Sequence, residues 1–351
     1  MSTAEHRVIG WDVGGAHVKA SLLRGNTIDD VVQWPAPVWQ GMEHLDRTLQ
    51  AARSRWPELP ACRHAITMTA EMTDLFDDRE SGVAAVVDRI RRGLDGPARY
   101  YAGPARWLDA DEACGQWRRV ASANWLATAE CVGHAVGDAV LLDIGSTTTD
   151  IVPIAGGRPC PGGIGDASRL AAAELVYVGV VRTPLCALAE RIAWRGAEYN
   201  VMNELFATTA DLFRITAELA PEHDQHAAAD GGAKDVAGSC RRLARMIGHD
   251  GRDAAPEHWL GLARAWRQRL LRRILDNLDR VLRDHPLPPA APIVGAGCGS
   301  FLTAELARHV GRRHLPFHRL VAAPQALAAW VDTCAPSTAV ASLYRGAPAC
   351  G

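Results

Sequence analysis

The sequence predicts an α/β protein built as two like halves, and three stretches carry that prediction. VIGWDVGGAHVKA, residues 8–20, runs as an apolar strand, an Asp-x-Gly turn and a second strand. LLDIGSTTTDIVPI, residues 141–154, repeats the order, and its Asp143 lies 131 positions after Asp12. That spacing belongs to a duplicated domain rather than a short repeat. PIVGAGCGSFLTAEL, residues 292–306, adds a late strand, Gly-rich turn and helix. A chain of 351 residues is long enough for two separate cores.

Taken in order, RVIGWDVGG and AHVKASLLRGN read as paired strands, with Gly25-Asn26 as the reversal that ends the second strand. Apolar spacing predicts helices around 41–55 and 81–93, with a short strand, HAITMTA, between them. AVLLDIG, residues 139–145, opens the second half, and TTTDIVPIAGGR continues it to a reversal at Gly156-Gly157. Helices are expected to dominate residues 166–285, interrupted near PEHDQHAAADGGAK. The run 257–284 has apolar residues at helical spacing and an arginine-rich opposite face, which reads as a solvated helix surface. The expected division is a first domain over 1–136 and a second over 137–351. The second carries the helical insertion and the late Gly-rich turn.

Composition excludes several function classes. A net charge of −2 leaves no electrostatic footprint for nucleic acid or an anionic membrane. Nine dispersed cysteines without a C-x-x-C read as reduced thiols, and His223 and His226 lack an obvious third ligand. No apolar run reaches the length of a membrane span, and MSTAEHRVIG shows no basic region followed by an apolar core. A cytoplasmic protein acting on small molecules is expected, with homo-oligomerisation left open. Only two of the 38 basic residues are lysines, Lys19 and Lys234. In so arginine-rich a chain, a retained lysine points to a need for a compact point charge, as against a phosphate.

A strand ending in Asp-x-Gly lets backbone approach an oxyanion closely, because glycine removes the Cβ and successive N–H groups turn inward. Gly14, Gly15 and Gly145 supply that freedom, and Ser146, Thr147 and Thr148 add hydroxyl donors. Asp12 and Asp143, at strand ends, suit Mg2+ or Mn2+, which favours carboxylate, water and phosphate oxygen. The pair reads as a two-jaw clamp for a phosphate chain and its metal, with the third turn at Gly297 nearby.

These three motifs resemble those of the actin, Hsp70 and sugar-kinase superfamily, in which two ribonuclease-H-like domains close on a central cleft. DIGSTTTD is most similar to the hydantoinase/oxoprolinase type. Five longer stretches resemble one family in particular, the (4-{4-[2-(γ-glutamylamino)ethyl]phenoxymethyl}furan-2-yl)methanamine synthases of methanofuran and methylofuran biosynthesis. They are ITMTAEMTDLFDDRESGV (66–83), ASANWLATA (121–129), DIGSTTTDIVPI (143–154), ELVYVGVVRTPL (174–185) and YNVMNELFATTAD (199–211). One departure is His17-Val18, where the family more often has Asn-Thr.

The resemblance implies a condensation without nucleotide. A furanmethyl diphosphate loses pyrophosphate while the phenol oxygen of γ-glutamyltyramine takes the exposed CH2. It makes Lys19 the direct diphosphate cation, with Gly14, Gly15, His17, Gly145, Ser146–Thr148 and Gly297 around the same group. Glu71, Asp74 and Asp150 are the candidate bases for the phenol proton, Glu71 first. Arg182 either pairs with the substrate's glutamyl carboxylate or makes a structural ion pair. Asn124 and Trp125 line an aromatic channel or belong to the core, and Thr208, Thr209 and Asp211 are placed near the cleft. Two other readings stay open on sequence alone: an ATP-using small-molecule kinase or oxoprolinase-type amidohydrolase, and a nonenzymatic nucleotide switch.

Overall fold

The computed structural model describes residues 7–345, which form two compact units. The first unit takes in the described chain up to Leu141, Ile154–Cys160, and the chain from Pro316 on. Its strands are β1 (Arg7–Val13), β2 (His17–Arg24), β3 (Thr27–Pro35), β4 (Arg63–Met68), β5 (Ala98–Tyr101) and β6 (Trp107–Leu108). They form one six-stranded sheet in the order β3-β2-β1-β4-β5-β6. β1, β2 and β3 form an antiparallel meander, whose second reversal places Gly25 at φ 57°, a conformation that glycine adopts without steric cost. β4 and β5 then join in parallel, which requires crossovers, supplied by helices Glu43–Arg55 and Arg79–Gly93.

Strand alternation sorts the two faces of this sheet. Ile9, Trp11 and Val13 join Leu45, Leu49, Val83 and Val86 in one core. Gly10, on the other face, lies against the C-terminal helix Ala335–Arg345, where an added Cβ would come within 2.8 Å of Ala341 Cβ. Ser21 Oγ is hydrogen-bonded to Ser337 Oγ at 2.8 Å and Thr338 Oγ1 at 2.9 Å on the same helix. The run APSTAVAS thus supplies small residues for close packing on β1 and β2. The described segment from Pro316 to Arg345, expected with the second half, belongs to the first unit.

The second unit comprises Leu142–Pro153 and Pro161–Leu315. The strands of its sheet are β7 (Ala139–Ile144), β8 (Thr149–Ala155), β9 (Arg158–Pro159), β10 (Leu175–Val176), β13 (Ile293–Ala296) and β14 (His314–Pro316). Their order is β10-β8-β7-β13-β14, with β9 paired to β8. The division between units runs through β7 and β8 themselves. The Gly156-Gly157 reversal is present, both residues at positive φ.

The long helix Pro256–Asp284 forms where periodicity places it, with Pro at its first turn and Trp259, Leu262, Trp266, Leu270, Ile274, Leu278 and Val281 buried along one face. Residues 172–208 are less helical than expected. They hold β10 and a hairpin of β11 (Arg191–Trp194) and β12 (Ala197–Asn200), turning at Arg195 and Gly196 with φ 51° and 81°. A two-residue turn with both φ positive matches the right-handed twist of paired strands; Gly196 suits it, whereas Arg195 gives no such signal in the sequence. Among the described residues no helix is long and apolar enough to cross a membrane, and eight cysteines are free thiols. The ninth, Cys350, lies outside them.

Candidate active site

In the first unit the turn between β1 and β2 is closed by the Gly14 N–H donating to the His17 carbonyl at 3.0 Å. Side chains are excluded here. A Cβ on Gly14 would stand 2.7 Å from His17 O, and one on Gly15 2.7 Å from Thr73 Cγ2. Both glycines are therefore needed, one for the turn and one for its packing on residues 69–73. Asp12 and Lys19 are opposed across the β1–β2 ladder, with Lys19 Nζ 3.9 Å from Asp12 Oδ2. Asp12 is buried and Lys19 partly so, which places a fixed cation beside the loop. The His17 side chain is buried, so its part in the loop is the carbonyl that closes the turn.

The segment after β4 packs against this loop and carries Glu71. Thr69 N–H donates to Val13 O at 2.9 Å, extending the β1–β4 pairing into the turn. Glu71 is 1% exposed. Its Oε1 accepts from Ser122 Oγ at 2.8 Å, while Oε2 is buried with no hydrogen-bond partner among the described residues. Burial pushes the Glu71 carboxyl above the ordinary glutamate range, with the Ser122 hydroxyl opposing the shift. Asp74, three residues on, is exposed beside Met72 and Leu75.

The second loop repeats the closure: Gly145 N–H donates to Thr148 O at 2.8 Å. Ser146, Thr147 and Thr148 are partly exposed, and the buried Asp143 is the last residue but one of the preceding strand. Residues 178–184 lie directly against this loop. Val180 N–H donates to Gly145 O at 3.0 Å, and Arg182 N–H to Ser146 O at 2.9 Å. A Cβ on Gly179 would meet Thr147 N at 2.5 Å, so VGVVRTP needs its glycine to touch the loop. The third turn approaches from β13. Gly299 N–H donates to Ile144 O at 2.8 Å, and Gly297, at φ 84°, passes so close that a Cβ would stand 2.5 Å from Asp143 Oδ1.

Several expected contacts turn out to be supports. Asp150 is paired with the buried Arg169 at 2.9 Å, so its carboxylate is already engaged. Thr209 is fully buried and donates from Oγ1 to Gly179 O at 2.8 Å, which braces residues 178–184. Asp211 is the hub of a buried network, accepting from Ser239 Oγ at 2.8 Å and from Arg242 Nη2 at 2.7 Å. Trp125 is 2% exposed and belongs to the core of its helix, Asn124–Val136, whose Asn124 Oδ1 accepts from Trp125 N–H. Lys234 donates to the Asp224 carbonyl and to His226 O at 2.8 Å, closing its own loop. Arg182 reaches Thr147 Oγ1 at 3.4 Å. The roles of Ser122, Arg169, Gly179 and Thr183 were not read from the sequence.

The residues fit a phosphate-bound divalent cation better than a protein-only metal site. Asp12 and Asp143 each offer hard carboxylate oxygens beside the loop of their own unit, and a side chain at Gly297 would crowd Asp143 Oδ1. Among the described residues no group of three or more His, Cys, Asp or Glu forms a metal cage. A Mg2+ ion held through one or two carboxylates, water and substrate phosphate needs none.

A profile of the hydantoinase/oxoprolinase family matches residues 63–334. A (4-{4-[2-(γ-L-glutamylamino)ethyl]phenoxymethyl}furan-2-yl)methanamine synthase from Methanocaldococcus jannaschii is 30% identical over 281 residues, 80% of this chain and 83% of that one. A protein of the same name from Methanococcus vannielii is 31% identical over 148 residues, 42% of this chain and 66% of that one. The nucleotide-free structure of acetone carboxylase superposes with a TM-score of 0.57 at 11% identity, covering 96% of this chain and 70% of that chain. The likeness is one of fold alone.

Proposed function

The chain belongs to the hydantoinase/oxoprolinase family, in the branch of the (4-{4-[2-(γ-L-glutamylamino)ethyl]phenoxymethyl}furan-2-yl)methanamine synthases, and on that premise we propose that it joins a furanmethyl diphosphate to γ-glutamyltyramine. The CH2–O bond to diphosphate breaks, the phenol oxygen bonds to the CH2, and the phenol proton and pyrophosphate leave. The product is an aryl ether on the way to a methanofuran- or methylofuran-type C1 carrier, and no nucleotide is consumed.

The observation that carries this reading is the pair of loops with one closure, Gly14 to His17 and Gly145 to Thr148. Such loops suit the tail of a polyphosphate. When the polyphosphate is a leaving group rather than a phosphoryl donor, the same donors stabilise the charge that develops on it. A furan ring delocalises positive charge on its CH2, so bond breaking runs ahead of attack and leaving-group stabilisation dominates the rate. Lys19, held by Asp12, presents a point charge to the departing oxygens, and Ser146, Thr147 and Thr148 donate hydroxyls. Asp12 and Asp143 would hold Mg2+ or Mn2+, which supplies further charge neutralisation to the diphosphate.

Glu71 is assigned the phenol proton. A phenol has a pKa near 10, and a carboxyl raised by burial is a better-matched base than an ordinary one. Ser122 fixes its Oε1, leaving Oε2 as the basic atom. Asp150 is set aside for this role by its pairing with Arg169.

The test is mass spectrometry of products from furanmethyl diphosphate and γ-glutamyltyramine, with pyrophosphate measured in the same tube. Ether and pyrophosphate in equal amounts without ATP support the reading. A requirement for ATP, with ADP formed in step with product, would replace it with a kinase or an oxoprolinase-type reaction.

A further inference from the structure

The two loops match in backbone but not in charge. Seven positions after Asp12 stands Lys19; seven positions after Asp143 stands Asp150. The first loop therefore carries its cation on its own exit strand, whereas the matched residue of the second loop is an acid. That acid is neutralised by Arg169, which is 1% exposed and so turned away from solvent. Asp143, Ser146, Thr147 and Thr148 leave the second loop without a positive charge of its own.

A cation reaches it from the neighbouring segment. Residues 178–184 are locked to the loop by three backbone hydrogen bonds, Val180 N–H to Gly145 O, Val181 N–H to Ser146 O and Arg182 N–H to Ser146 O, at 3.0, 3.1 and 2.9 Å. Behind them Gly179 N–H donates to Thr183 Oγ1 at 2.8 Å, and Thr209 Oγ1 donates to Gly179 O at 2.8 Å. The main chain of Arg182 is thus fixed relative to the loop by bonds on both of its sides. Its guanidinium Nη1 lies 3.4 Å from Thr147 Oγ1, on the exposed side where the loop hydroxyls stand.

We propose that Arg182 is the anion-binding cation of the second loop, forking onto a diphosphate's oxygens beside the Ser146 and Thr147 hydroxyls. It rests on the reading of the loops as a diphosphate site, and it moves Arg182 from the glutamyl carboxylate to the leaving group. A guanidinium fits here because its planar fork matches two phosphate oxygens at once, while Lys19 serves the first loop as a point charge. The division of labour explains why the arginine follows the loop in VGVVRTP instead of lying on strand β8.

The test is calorimetric titration of inorganic pyrophosphate with Mg2+ into the full chain, for wild type, Arg182→Gln and Arg182→Lys. Loss of a charge-assisted pair predicts affinity about ten- to a hundredfold weaker in Arg182→Gln. Arg182→Lys, which keeps charge but not the fork, recovers part of it, and γ-glutamyltyramine affinity and the melting temperature stay at wild-type values. Pyrophosphate affinity unchanged in Arg182→Gln overturns the assignment, all the more if γ-glutamyltyramine binding falls instead. If the wild type instead turns over ATP and Arg182→Gln weakens ATP binding, the ether-synthase reading fails and the assignment of Arg182 stands.

Discussion

Replacing Glu71 by Gln keeps the side chain's shape and removes its proton equilibrium. The amide oxygen can still accept from Ser122 Oγ, as Oε1 does at 2.8 Å. The amide nitrogen takes the place of Oε2, a buried atom with no partner among the described residues, and two N–H donors there cost about 1–3 kcal/mol. That cost is independent of pH. The wild-type contribution is not, because burial raises the folded-state pKa above the ordinary 4.5. The folded protein therefore holds the proton after the unfolded chain has released it. Wild-type stability is fully present below 4.5 and falls as pH rises towards the raised value, by up to about 1.4 kcal/mol per pH unit. Glu71→Gln has no such slope. Urea unfolding of both proteins between about pH 4.5 and 8 should show wild type ahead at the acid end and its advantage shrinking upwards. Parallel stability curves would refute the reasoning, since Glu71 would then titrate alike in both states. If Oε2 is also the base, the rate rises with pH through the same raised value, and Glu71→Gln loses about 10²–10⁴-fold together with that limb. A fully active Glu71→Gln would leave the residue a structural role only.

Lys19→Arg should fold normally and keep its affinity for γ-glutamyltyramine while slowing diphosphate departure roughly thirty- to a hundredfold, about 2–3 kcal/mol of transition-state contact. Wild-type turnover in both Lys19→Arg and Lys19→Met would show that the 3.9 Å pairing with Asp12 has no catalytic counterpart. Asp12→Asn and Asp143→Asn should each weaken retention of Mn2+ in the presence of pyrophosphate, read by titration, and lose most activity. Full wild-type activity after exhaustive dialysis against EDTA would remove the metal from the mechanism. Gly297→Ala must place a Cβ 2.5 Å from Asp143 Oδ1 at φ 84°, a strain of about 1–3 kcal/mol. Its melting temperature should fall and its pyrophosphate affinity with it; unchanged values of both would mean that the third turn does not hold Asp143 in place.

The parts of the site that sequence displays are those where backbone geometry dictates residue type. Gly14, Gly15 and Gly145 are visible because a side chain is crowded in a loop that must turn tightly against its neighbours, at 2.7, 2.7 and 3.2 Å from the nearest atom. The helix Pro256–Asp284 is visible because its buried residues recur at helical spacing. The hidden parts depend on tertiary placement. The run APSTAVAS does not show which sheet it covers, and only Gly10 and Ser21 packed against it reveal that. Glu71 is the first candidate base in the sequence, but nothing around it there shows its burial, which comes from the chain at Ser122 and the backbone near Gly82. Asp211 and Thr209 are placed near the cleft by the family resemblance, and in the structure their polar atoms serve Arg242 and Gly179. Lys234 shows that a rare lysine can be kept for a loop: its ammonium serves two carbonyls and the Asp224 carboxylate.

The central claim is that the diphosphate leaves from carbon and the phenol oxygen survives into the ether. γ-Glutamyltyramine labelled with 18O at the phenol tests it most directly, incubated with unlabelled furanmethyl diphosphate and followed by mass spectrometry. The account predicts that the label is retained in full in the ether and that the released pyrophosphate is unlabelled. Label found in phosphate or pyrophosphate, with an unlabelled ether, would mean that the phenol was activated and displaced, and would contradict it.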